Sequence, residues 1–352
     1  FGVRRQSLDT PAECTPPSPP DAIDCRSRRA SLAQPVSTPM TAATGASRRL
    51  SPDTSAALSE ADVFRMTAPK RYGGFEADFV TQCEVLAEIA RGCGSSSWVA
   101  TIFSAMSWLV GTLSDEAQAE VFESKDPRIS GVFSPTGQAV RKSGGFVVNG
   151  RWGFNTGGHG SNWTVVNAIA PNAAGVELPT CMLVRSRELE RLDDWHASGM
   201  AATGSSTIVA KDVFVPEHRT CELPLMIEAQ YPSRRDTANF YYGYPLAAVL
   251  TVNAGGTPVG IARAALEAFR ERLPGRPITY TTYANKAEAP VTHLQIGEAA
   301  LKIDSADAHM RLASSILDDN PGVKLSTLAR VKARAHVSAA TGLARVAVDL
   351  LF

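Results

Sequence analysis

The sequence predicts an α+β protein, mostly α, with a small antiparallel β-domain between an N-terminal helical domain and a C-terminal helical bundle. Three observations predict it. Apolar side chains recur every three to four residues up to about residue 113, every second residue from about 128 to 222, and every three to four again after about 255. The expected divisions are a leader over 1–47, a helical domain over 48–125, a β-domain over 126–222 and an incomplete bundle over 223–352.

At 352 residues and 44% hydrophobic, the chain can bury a core larger than one small domain needs. Lys plus Arg equals Asp plus Glu at 35 each, so no global field recruits nucleic acid or an anionic membrane. No apolar run is long enough to span a bilayer, which predicts a soluble protein. The six cysteines, Cys14, Cys25, Cys83, Cys93, Cys181 and Cys221, are scattered, without Cys-x-x-Cys or a histidine at zinc spacing. Reduced thiols in a cytoplasmic protein account for them.

The leader is dense in Pro, Ser, Thr, Ala and Arg, with few large apolar side chains to offset the entropy of ordering, so disorder is expected. It has no signal-peptide apolar core. It opens on Phe1, and Met40 shortly precedes the first globular-looking stretch, so it reads as a leader or over-extended reading frame without chemistry.

Cys83, Leu86 and Ala90 take helical spacing, and beyond the Gly92-Cys93-Gly94 break so do Trp98, Ile102, Ala105 and Leu109. Ser95, Ser96 and Ser97 are candidate N-caps of that second helix. Phe146 and Val148 alternate before an expected Asn149-Gly150 hairpin turn. Val165-Val166, Met182-Leu183-Val184 and Val213-Phe214-Val215 supply further strands. Helical pieces then run from Pro258 to Leu273, Val291 to Leu317 and Leu325 to Phe352. Leu301, Ala308, Leu312 and Ile316 mark one expected bundle seam; Leu328, Val331, Ala335, Ala339, Gly342 and Val346 mark another. The last helix is still apolar at Val348, Leu350, Leu351 and Phe352 without a cap, so a fragment at both ends is expected.

The richest segment chemically is Arg151 to Val166, where an aromatic, a hydroxyl and a glycine run share the end of a strand. An isoalloxazine ring needs all three: an aromatic over one face, a hydroxyl for N5, and glycines that let backbone approach a flat cofactor. The plain alternative is an amphipathic strand beside a turn.

Helices, β-domain and bundle are also the order of the acyl-CoA dehydrogenase fold. Pro69-Lys70-Arg71-Tyr72-Gly73-Gly74 resembles its P-x-x-Y-G-G loop, and Lys211-Asp212-Val213-Phe214-Val215-Pro216 its x-D-V-F-V-P strand. Within that fold the chain is similar to the flavin-dependent monooxygenases of two-component systems: hydroxyphenylacetate hydroxylases, antibiotic-pathway hydroxylases and amino-sugar N-oxygenases. Four motifs in order carry the likeness: Gly94 to Val99, Phe133 to Gly137, Gly150 to Phe154, and Trp195 to Ser205.

The resemblance implies a protein that takes reduced flavin, FMNH2 or FADH2, from a separate NAD(P)H:flavin reductase. It would add O2 at flavin C4a and pass one oxygen atom from the resulting hydroperoxide to a small organic substrate in secondary metabolism. A homo-oligomer, most simply a tetramer, is implied too. By motif position, Thr156 falls at the N5 hydroxyl and Phe154 at the aromatic on the ring, while Ser134 and Thr136 fall at the pyrimidine side. Thr156 and Ser134 are the implied catalytic hydroxyls. Arg276, with Tyr280 and Thr281, resembles an element that meets flavin phosphate across a subunit boundary. A solvated arginine in the Pro274–Pro277 turn is the alternative.

Trp98 and Trp108 lie within about 80° of each other on a helix and are expected to line the flavin and substrate pocket, with core packing as the alternative. Where hydroxyphenylacetate-type enzymes carry a phenol-contacting histidine, this chain has Met106, which points toward a polycyclic polyketide or amino sugar. His159 sits one residue early relative to the motif's histidine and faces either pocket or solvent. His196, His293, His309 and His336 read as structural or solvated. Two rivals stay open: an acyl-CoA dehydrogenase, whose glutamate base is expected beyond Phe352, and a truncated, non-catalytic member.

Overall fold

The computed structural model describes residues 47–233, 240–321 and 324–352; the leader lies, up to residue 46, outside the described residues. Helix α1 spans Pro52–Glu60, α2 Phe79–Gly92, α3 Gly94–Thr112 and α4 Asp115–Phe122. Ser51, Asp78 and Ser114 cap α1, α2 and α4 by accepting the amide protons of Thr54, Thr81 and Ala117. These satisfy donors that a first turn leaves unpaired. Helix α3 differs: Cys93 precedes it without a side-chain cap. One residue separates α2 from α3, so the serines expected to cap α3 already lie inside it. Ser97 Oγ donates to the Leu86 carbonyl of α2 at 2.7 Å instead. Apolar on nearly every side, α3 is buried along most of its length.

The β-domain holds eight strands: β1 Ile129–Gly131, β2 Gly137–Lys142, β3 Gly145–Trp152, β4 Trp163–Pro171, β5 Glu177–Arg185, β6 Glu190–Arg191, β7 Ile208–Pro216 and β8 Thr220–Glu222. They form one sheet in the order β6-β7-β3-β2-β4-β5-β8, with β1 also on β4. Most pairings are antiparallel, but β4 runs parallel to β1 and β2, so the sheet is mixed.

The expected Asn149-Gly150 turn is corrected by the structure. Both residues lie inside β3, at a bulge where its pairing with β7 shifts between Val148 and Gly150. Asn149 spends its amide across the strands, donating Nδ2 to Asp212 Oδ1 at 2.9 Å and accepting the Asp212 amide at 2.8 Å. The hairpin turn falls earlier, at Gly144 with φ +79°.

The bundle comprises α5 Leu223–Ile227, α6 Leu246–Asn253, α7 Gly256–Arg272, α8 Pro290–Asp318 and α9 Thr327–Leu351. Helix α7 crosses α2 so closely that a Cβ at Gly260 would collide with the Ala87 carbonyl oxygen, so only glycine permits this approach. At the far end of α8, Asp318 accepts the Phe79 and Val80 amides, both at 2.9 Å, tying the bundle to the start of α2. Burial pushes its carboxyl up to about 6, against the pull of those two bonds.

The α8–α9 seam is another correction. Its buried line has Ala299, Ala306 and Ala313 on α8 and Ala333, Ala340 and Ala347 on α9, all at heptad spacing and at most 1% exposed, interleaved with the larger Ile303, Met310 and Leu317 and with Val337 and Leu351. The residues expected there, Leu301, Leu312, Leu328 and Val331, face outward at 69%, 51%, 63% and 58% exposure. Alanine lets two long helices approach closely over many turns, a contact that opposed leucines would hold apart. Among the described residues, no helix is long and apolar enough to cross a membrane.

Candidate active site

The β-domain, α3 and the bundle line an open cavity of about 740 Å3, within the size range of small-molecule sites. Its floor is the loop between β3 and β4. Phe154 takes a left-handed turn with φ +62° and stands 76% exposed, its ring edge-on to Trp195 at 5.9 Å. Two residues on, Thr156 is buried at 6% exposure and faces the cavity beside Thr203 and Ser205. Gly157 follows at φ +71°, where a Cβ would strike Phe103 and Val99 of α3. Its amide donates to the Thr203 carbonyl at 2.8 Å, which clasps this loop to the 201–207 segment.

The walls are largely apolar. Trp98 and Ile102 come from α3, Met200 from the 192–207 loop, Pro258 and Ile261 from α7. Helix α9 adds Ala344 and Val348, and at the same edge Arg345 Nη1 pairs with Asp349 Oδ2 at 3.0 Å. Thr257 contributes a hydroxyl held by Ser97 Oγ at 2.7 Å.

Several expected residues do not face this space. Trp108 is a core residue at 0% exposure; its Nε1 donates to the Tyr241 carbonyl at 2.9 Å and its ring stacks on Tyr242. Met106 is 1% exposed, and its Sδ fills the space that a side chain at Gly131 would need, so it backs the wall without lining it. Each turns inward because α3 has core on almost every side, and helical spacing alone does not choose among those sides.

Ser134 and Thr136 lie exposed ahead of β2, where Thr136 Oγ1 donates to the Arg151 carbonyl at 2.7 Å. Arg276 is exposed in the turn after α7. His159 stands behind the floor, its Nε2 3.2 Å from Ser206 Oγ. Burial, with Arg49 and Arg191 nearby, holds its imidazolium below the ordinary histidine range.

Thr203, Ser205 and Trp195 complete the floor, and Thr257 and Ile261 line the cavity from α7. Trp195 to Ser205 is one of the motifs visible in the sequence, which signals the loop without saying which side chains point inward. For the α7 and α9 residues the sequence carries no such signal.

The arrangement suits a flat, mostly apolar ring system carrying a few hydrogen-bonding atoms: large apolar walls, the floor cluster of Thr156, Thr203 and Ser205, and further hydroxyls from Thr257 and Thr341. An isoalloxazine has that character, and the floor residues Phe154, Thr156, Thr203 and Ser205 are the ones that would hold it.

Residues 23–123 match the model of the acyl-CoA dehydrogenase N-terminal domain, and residues 253–352 that of an acyl-CoA dehydrogenase C-terminal domain. The chain is 32% identical over 298 residues to the oxygenase component of an FADH(2)-dependent resorcinol hydroxylase from Rhizobium sp., covering 83% of this chain and 71% of that protein. It is 30% identical over 313 residues to the flavin-dependent monooxygenase oxygenase subunit HsaA of Rhodococcus jostii, covering 87% and 81%. Among solved structures, XiaF from Streptomyces sp., in complex with FADH2 and glycerol, superposes with a TM-score of 0.84 at 29% identity, over 94% of this chain and 85% of that one. With helices, sheet and bundle in the same order, and with an oxygenase component alike over most of both chains, this protein belongs to the flavin-dependent monooxygenases built on the acyl-CoA dehydrogenase fold.

Proposed function

We propose that the protein is the oxygenase component of a two-component system. It receives reduced flavin from a separate NAD(P)H:flavin reductase and uses O2 to hydroxylate an aromatic substrate. The observation that carries this reading is the linked hydroxyl cluster of Thr156, Ser205 and Thr203 in a cavity whose lining is largely apolar. Bound reduced flavin supplies the electrons that activate O2 at its C4a carbon.

The residues of the chain do the rest. Thr156 would offer a hydrogen-bonding oxygen to N5, Phe154 and Trp98 would pack against the ring, and the apolar faces of α3, α7 and α9 would shield the reacting atoms from water. Arg276 would meet the flavin phosphate of a neighbouring subunit, and Ser134 and Thr136 would meet its pyrimidine edge. Aromatic substrates fit a cavity walled by Trp98, Ile102, Met200, Ile261 and Val348. The outward line of Leu294, Leu301 and Leu312 on α8, with Leu328 and Val331 on α9, supports a homo-oligomer, most simply a tetramer.

The test supplies the purified protein with reduced flavin, 18O2 and a panel of phenols and polycyclic aromatics. Product carrying a single 18O atom supports the reading. Reduction of bound oxidised flavin by an acyl-CoA, with no oxygen incorporated, overturns it in favour of a dehydrogenase.

A further inference from the structure

We propose that Thr203 and Ser205 fix the direction of a hydrogen-bond chain ending at Thr156, and that this direction makes the site select reduced over oxidised flavin. The proposal rests on the flavin reading above and concerns which proton each hydroxyl holds.

Thr203 Oγ1 lies 2.9 Å from the Met200 carbonyl oxygen. A carbonyl has no proton to give, so Thr203 is the donor. A hydroxyl carries one proton, so Thr203 can only accept from Ser205, whose Oγ is 2.8 Å away. Ser205, its proton spent, accepts in turn from Thr156 Oγ1 at 2.8 Å. The chain is therefore polarised from Thr156 toward Met200, and Thr156 presents lone pairs alone to the cavity.

Burial keeps that order. Thr156, Ser205 and Thr203 are 6%, 5% and 2% exposed, and successive bonds in a chain reinforce one another. The Gly157 amide on the Thr203 carbonyl at 2.8 Å and the Asn155 amide on the Ser206 carbonyl at 3.2 Å hold both loops in register. Oxidised flavin has a lone pair and no proton at N5, whereas reduced flavin has an N5–H. An acceptor-only oxygen bonds the second and opposes the first.

Thr203→Val removes the anchor while keeping shape, and the Met200 carbonyl still accepts the backbone amide of residue 203, at 3.1 Å in the native chain. Ser205 is then free to donate to Thr156, which turns its own proton toward the cavity. The experiment measures dissociation constants of oxidised and reduced flavin anaerobically, by fluorescence titration, in wild type, Thr203→Val, Thr203→Ser, Ser205→Ala and Thr156→Val.

The expected result is that Thr203→Val lowers the oxidised-to-reduced ratio of dissociation constants by about ten-fold, the factor carried by a hydrogen bond of ordinary net strength. Ser205→Ala, which cuts the next link, lowers it similarly, and Thr203→Ser keeps the wild-type ratio. An unchanged ratio in both Thr203→Val and Ser205→Ala, with Thr156→Val moving it, overturns the proposal and leaves the flavin placement standing. Equal loss of both affinities, as a structural fault would give, also overturns it. If Thr156→Val moves neither constant, the flavin placement falls and the proposal with it.

Discussion

The loop between β3 and β4 and the helix pair α8–α9 both carry regular sequence patterns, and they differ in what orients their side chains. In the loop, a left-handed Phe154 and a left-handed Gly157 bracket Thr156, so backbone geometry leaves that hydroxyl little choice. In α8, two apolar lines run along opposite sides, Ala299-Ala306-Ala313 inward and Leu294-Leu301-Leu312 outward. Either could be the seam on hydrophobicity. The line with alanine at every seventh position lies inside because small side chains there let the helices approach, and the leucines of the other line remain exposed.

Enlarging the inward line breaks this contrast most severely. Ala340→Leu forces a leucine into a fully buried heptad position and should cost about 3 kcal/mol of stability, read as a lower denaturant midpoint at unchanged slope. A cost near zero would mean that the seam is loosely packed. On the outward line, Leu301→Glu should weaken subunit association by about 2 kcal/mol, with helical content unchanged. Sedimentation at several concentrations decides it, and an unaltered assembly would remove the leucine line from the interface.

On the loop side, Thr156→Val keeps branching and shape while deleting the hydroxyl, so the fold should persist. Release of hydrogen peroxide without product should accelerate by about ten-fold, as expected for one lost hydrogen bond. Unchanged coupling between oxygen consumption and product would show that Thr156 is only a packing residue. Arg276→Ala should weaken reduced-flavin binding by about five-fold, a modest figure because the guanidinium is exposed, and more at low salt than at high. No change at either ionic strength would free Arg276 from the phosphate.

The smallest effect concerns His159, behind the loop. Its folded-state pKa lies below the ordinary 6.5, so the unfolded chain binds this proton more readily. Its contribution to stability is therefore undiminished above about 6.5 and declines as pH falls below that value. His159→Gln should flatten that part of the stability–pH curve by a small amount, measured by urea unfolding at pH 5 and pH 8. A steeper acid limb in the variant would contradict this sign.

The order of periods along the chain, three to four, then two, then three to four, states the fold class, because each period follows from how one backbone geometry presents alternate side chains to a core. The β3–β4 segment is legible for a related reason: glycines and a hydroxyl at short spacing constrain local backbone, and local backbone needs no distant partner to act. The side chains of Met106 and Trp108, the alanine seam, and the convergence of Thr203, Ser205 and Thr257 on Thr156's cavity depend instead on contacts between segments far apart in the chain. A helix apolar on several sides has no preferred direction until its neighbours take their places. The same holds for a hydroxyl proton: Thr156 can donate or accept in isolation, and it is the carbonyl of Met200, more than forty residues away, that orients it.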